Sequence, residues 1–134
     1  LHIIESHKND PIYEAKRTKQ LLESTDKSLN ASITVTDFDQ LIRNHLISNS
    51  QQRISETAIS EKIGETWKDI KEGKVNPAVF IENADSMRKR LSKLVGNFGA
   101  NNIAYSGPEC GLKSFPTYEC ALECLRRVAD VTRA

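Results

Sequence analysis

The sequence predicts a helix-rich α/β chain, and two patterns predict it. Across residues 74–134, short apolar runs and helical-period segments follow one another as strand, helix, strand, loop, helix, which is the βαβα grammar of α/β proteins. Across residues 10–72, apolar positions recur mainly at helical spacing. Residues 1–73 are thus expected to be a mainly helical part and residues 74–134 a βαβα part of one domain or fragment. The alternative is an all-α chain. At 134 residues and a mean hydropathy of −0.49, the chain fits a single modest core.

Residues 1–9 read as a short strand or tail around Ile3 and Ile4. Asp10-Pro11 is a helix start, with Asp as cap and Pro at the first helical position. The helix is expected to run to about Leu29 on a thin apolar set of Ile12, Ala15, Leu22 and Leu29. Residues 30–35 lean to β and read as a connector or short strand. Thr36 is the expected cap of a second helix, with Asp37 and Asp39 favouring its dipole and Phe38, Leu41, Ile42, His45 and Leu46 on its apolar face. His45 is therefore expected to pack, not to ligate. A third helix over 55–72 carries Ile59, Ile63, Trp67 and Ile70, and Gly73 stands at its stop.

Val75–Ile81 is a short apolar run containing Pro77 and is expected to be a strand or extended segment. Asn83 caps a periodic helix with Met87, Leu91, Leu94, Val95 and Phe98, ended by Gly96 and Gly99. Asn102–Ser106 is expected to be a strand, with Gly107–Gly111 a loop at its C-terminal end. Thr117 caps the last helix, whose apolar face is expected to be Tyr118, Ala121, Leu122, Leu125, Val128 and Ala129. On that register Cys120 and Cys124, four residues apart and on one face, point away from the core.

A formal net charge of +1 gives no field favouring nucleic acid or a membrane surface. No apolar run approaches the ~20 residues that span a bilayer, and no secretory signal pattern opens the chain. Residue 1 is Leu and the only methionine is Met87, so the chain is expected to begin inside a longer gene product. Three cysteines, all in the last quarter, do not make a disulfide framework and point to a reducing, cytoplasmic setting. Asn30-Ala31-Ser32 matches a glycosylation sequon, a pattern short enough to occur by chance. Residues 54–77 carry a helix-turn-helix flavour around Gly64, but Glu61, Glu65, Asp69 and Glu72 interleave with the lysines and leave no basic recognition face.

The stretch Pro108-Glu109-Cys110-Gly111-Leu112-Lys113, followed by Pro116 and a helix with Ala121 and Leu125, resembles the C-terminal end of cobalamin-independent methionine synthases. The likeness extends over roughly residues 80–134. It implies the last units of a (β/α)8 barrel, a zinc cofactor with Cys110 as its last protein ligand, and methyl transfer from a methylated folate to the thiol of homocysteine, a step in methionine biosynthesis. A divalent cation there stabilises the sulfur anion over the thiol.

The family's other ligands, a His-x-Cys pair and a glutamate, lie upstream, and no cysteine precedes Cys110 here. A full barrel also needs ~200 residues or more. Three explanations stand open. The chain is the tail of a barrel completed by another chain or segment, a relative that kept the scaffold without the site, or a coincidental local match. A non-catalytic helical interaction subunit is the alternative function, and a nucleic-acid binder a weaker one.

Overall fold

The computed structural model describes residues 2–3 and 16–133. Its elements are β1 (His2–Ile3), α1 (Lys16–Glu23), β2 (Leu29–Thr34), α2 (Phe38–Ser48), α3 (Glu56–Lys71), a 3-10 turn (Pro77–Phe80), α4 (Ala84–Phe98), a second 3-10 turn (Ala100–Asn102), β3 (Ile103–Pro108) and α5 (Tyr118–Arg133). The chain is helix-rich α/β, and its sheet excludes the all-α alternative. Three parallel strands lie in the order β1-β2-β3. Among the described residues no helix is long and apolar enough to cross a membrane.

The central strand lies at the β-leaning residues 30–35, inside the part expected to be mainly helical. β2 pairs with β1 through Asn30 and Ala31, and with β3 from Leu29↔Ile103 to Thr34↔Pro108. Five of its six residues are buried, the pattern of a parallel strand covered on both faces. The first helix ends earlier than its apolar set suggests. It ends at Glu23, where the Thr25 hydroxyl donates to the Leu21 carbonyl at 2.7 Å, and Leu29 goes to the strand instead. The Asp10-Pro11 start lies outside the described residues.

The strand expected over 75–81 does not form, so residues 74–134 run turn, α4, β3, α5. Pro77 explains the difference. It has no N–H for a ladder but suits the first position of a helical turn, and the Asn76 side chain accepts the Ala78 N–H at 3.0 Å to start that turn.

The other boundaries follow their caps. Asp37, not Thr36, caps α2, accepting the Gln40 N–H at 3.1 Å. Ser55 caps α3, which ends before Gly73 at φ 72. Asn83 caps α4, which runs through Gly96 and ends at Gly99, φ 84. Both final glycines sit in left-handed backbone that other residues disfavour. α3 is continuous through Gly64, so residues 54–77 do not hold the turn that a helix-turn-helix needs.

The main core gathers around Phe38, which is wholly buried. Its ring centroid lies 5.4 Å from that of Trp67, 6.2 Å from Phe80 and 5.2 Å from Phe115, within the range of favourable aromatic pairs. His45 stands edge-on to Phe80 at 5.0 Å and packs as expected. A smaller cluster of Leu22, Leu29, Ala31, Leu94 and Phe98 fills the other end of β2.

Where β2 leaves the sheet, one carboxylate takes up its polar groups. Glu82 Oε2 accepts from the Thr34 hydroxyl and the Val35 N–H, both at 2.9 Å. Arg90 donates through Nη1 to Oε2 and through Nη2 to Oε1, each at 2.6 Å, and also to the Ile33 carbonyl at 3.0 Å. Arg127 of α5 donates to the carbonyls of Ile81 and Glu82 at 3.1 and 3.3 Å. Burial works to raise the Glu82 carboxyl, but Arg90, the Val35 N–H and Thr34 outweigh it and hold the carboxyl below its ordinary value.

A depressed folded-state value contributes stability at pH above the ordinary value of 4.5, and that contribution is lost as pH falls through the depressed one. Glu82→Gln is therefore expected to cost about 2–3 kcal/mol at pH 7, because Arg90 loses its charge partner. The gap to the wild type should narrow toward pH 2–3. Urea unfolding at both pH values measures this, and a gap independent of pH would show that the charge is not what matters.

Candidate functional site

Functional groups in parallel α/β sheets gather beyond the C-terminal ends of the strands. Here that edge is formed by the loops after β2 and β3, and Cys110 stands in the second of them, exposed, two residues past the end of β3. That is the position its flanking Pro and Gly predict. The bend itself falls on Glu109 and Cys110, and Gly111 is not in left-handed backbone.

Contacts on both sides of Cys110 fix its loop. On one side, the Glu109 N–H donates to the Thr34 carbonyl at 3.1 Å, carrying the β2–β3 ladder one step further. The buried Glu109 side chain accepts the Thr36 N–H through Oε1 at 3.3 Å. On the other side, the Ser114 hydroxyl accepts the Phe38 N–H at 3.3 Å and donates to the Thr36 carbonyl. Phe115 is buried against Phe38. The backbone on either side of Cys110 is thus tied to the start of α2, so an exposed thiol is presented from a fixed loop.

Zinc wants four ligands in a structural site and three plus an open position in a catalytic one. Among the described residues no group of three His, Cys, Asp or Glu side chains is placed to hold a metal. Glu109, next in sequence to Cys110, already serves the Thr36 N–H. The described residues around Cys110 therefore offer one exposed thiol and do not form a zinc site by themselves.

Cys120 and Cys124 correct the expected register of the last helix. Both are buried in the chain's own core with Val128 and Val131, while Tyr118, Leu122 and Leu125 face outward. The inward face follows i, i+4, i+8, i+11, and free cysteine serves there as a small hydrophobe. The start of the helix is as expected, with Thr117 Oγ1 accepting the Cys120 N–H at 3.1 Å. Burial pushes the Cys120 thiol up to about 11, and burial with Cys120 and Glu82 nearby pushes Cys124 up to about 12. Neither is a thiolate near neutral pH, which excludes them as ready nucleophiles.

The polar residues that organise this edge, Glu82, Arg90, Glu109, Thr36 and Ser114, carry no motif in the sequence. One trace is visible, the acid directly after the apolar run in Val79-Phe80-Ile81-Glu82. Compared with models of protein families, with curated proteins and with solved structures, the chain matches none.

Thiol labelling of the native chain should modify Cys110 alone, and unfolding should release Cys120 and Cys124. Cys110→Ser should then show no fast-reacting thiol. Rapid native labelling at Cys120 or Cys124 would contradict the packing of α5.

Proposed function

We propose that this chain is part of, or a relative of, a zinc-dependent methyltransferase that acts on a small thiol of the homocysteine type with a methylated folate as donor. In this proposal Cys110 is the one metal ligand the described residues supply, and another chain or segment completes the set. The observation that carries it is the place of Cys110: exposed, in a fixed loop, beyond the C-terminal end of a parallel strand. The motif around it, Pro108-Glu109-Cys110-Gly111-Leu112-Lys113, is the sequence support. The parallel sheet and the strand–loop–helix order of residues 103–133 agree with a place at the end of a barrel. A reducing cytoplasm suits a working thiol.

The isolated chain should bind zinc no tighter than about micromolar, since one thiolate supplies little of what a complete site does. Cys110→Ser should remove that binding and leave stability within about 0.5 kcal/mol, as expected for an exposed position. In protein isolated from its native source, zinc and thiol methylation should both be present, and Cys110→Ser should abolish both. Tight zinc binding by the isolated chain that survives Cys110→Ser would refute the assignment, as would methylation that persists without Cys110.

A further inference from the structure

The last helix is apolar on two sides. Its inner face is buried in the core, but a second stripe runs along the outside, with Tyr118 73% exposed, Leu122 40% and Leu125 42%. Ala129 continues the row. At 3.6 residues per turn the two stripes are about 135° apart around the helix, so the outer one faces away from the core. Its steps of 4, 3 and 4 residues, from 118 to 122, 125 and 129, are those of a coiled-coil seam. Among the described residues the other exposed large apolar side chains, Leu21, Ile47, Val79, Val95 and Tyr105, stand singly on five other elements.

The charges beside the seam indicate which partner fits. With Leu122 and Leu125 as seam positions, Glu119 and Arg126 flank it on the same side, and Ala121 and Val128 flank the other. An antiparallel copy of the helix, with its two-fold axis between Leu122 and Leu125, sets Leu122 on Leu125 of the second copy. Tyr118 then covers the small Ala129 of that copy. The same arrangement brings Glu119 within about 3 Å, measured along the axis, of Arg126 of the second copy, and symmetry forms this pair twice. A parallel copy would place Glu119 opposite Ala121 or Val128 and form no such pair. Within the chain, Arg126 is held only by an exposed contact to Glu123, and Glu119 has no ion pair among the described residues.

We propose that α5 is a self-association surface, on which two copies of the chain pair antiparallel through Tyr118, Leu122, Leu125 and Ala129. This does not depend on Cys110 or on a metal. The seam of a 16-residue helix is small beside the about 1,200 Å² of a standard interface, so the dimer is weak, with Kd on the order of 100 µM.

Sedimentation equilibrium of the full chain from about 10 µM to about 1 mM brackets that affinity. A reversible monomer–dimer equilibrium is expected. Glu119→Arg and Arg126→Glu should each weaken it about tenfold by turning two attractions into repulsions, and the double swap should return it to within about threefold. Leu125→Glu should abolish it, with far-UV circular dichroism confirming that the helix remains. A chain that stays monomeric at the highest concentration overturns the proposal and leaves a different polypeptide as the cover of this face. A dimer indifferent to Leu125→Glu is built on another surface and overturns it as well. Loss with Leu125→Glu but no recovery in the double swap overturns the antiparallel pairing. Cys110→Ser should dimerise like the wild type, which separates this outcome from that of the metal assignment.

Discussion

The Glu82 carboxylate is the constraint on which the rest of the structure depends. A buried strand must place every backbone N–H and carbonyl, and β2 is buried along nearly its whole length. Glu82 accepts the Val35 N–H and the Thr34 hydroxyl, and Arg90 reaches the Ile33 carbonyl from the other side of the same ion pair. A charge this enclosed is tolerable only because its partner is fixed and both oxygens are bonded. Arg90 is fixed by α4, and the carbonyls of Ile81 and Glu82 are held in turn by Arg127 of α5. The ion pair joins the central strand to α4, and Arg127 ties α5 to the same segment.

From that junction the remaining architecture follows in sequence. With the end of β2 satisfied, Thr36 can present its N–H and carbonyl to the loop after β3, where Glu109 and Ser114 take them. With Ser114 also accepting the Phe38 N–H, the first turn of α2 is set beside that loop. Phe38 then meets Trp67, Phe80 and Phe115 from three different segments. The polar ties fix the direction of each chain segment, and the aromatic cluster supplies the apolar burial. Cys110 stands where the two kinds of contact meet, and this is why an exposed residue sits on so constrained a backbone.

What was legible in the sequence was whatever local chemistry decides. Asn83 and Thr117 act as caps, Gly73 and Gly99 as stops, and Pro108 and Gly111 bracket a loop. What was not legible depends on partners far along the chain. Leu29–Thr34 becomes the central strand because β1 and β3 pair with it, and no property of those six residues marks them for the middle of a sheet. Pro77 overruled an apolar run that otherwise looks extended. Glu82 and Arg90, eight residues apart, lack the three- or four-residue spacing that would reveal a pair on a helix surface.

The last helix fails for a different reason, and the reason bears on the site. Periodicity finds an apolar face by its largest residues, and on α5 those are Tyr118, Leu122 and Leu125, which face outward. The inner face is built from Cys120, Cys124, Val128 and Val131, smaller side chains that let the helix sit close against β3, α4 and the Pro77–Phe80 turn. Choosing cysteine as a small core residue has a chemical consequence. The same burial that makes Cys120 and Cys124 good packing elements raises their thiols to about 11 and about 12 and withdraws them from thiolate chemistry. Of three cysteines close in sequence, burial removes two, and Cys110 is left as the one exposed thiol from which metal or nucleophile chemistry at this edge of the sheet can be built.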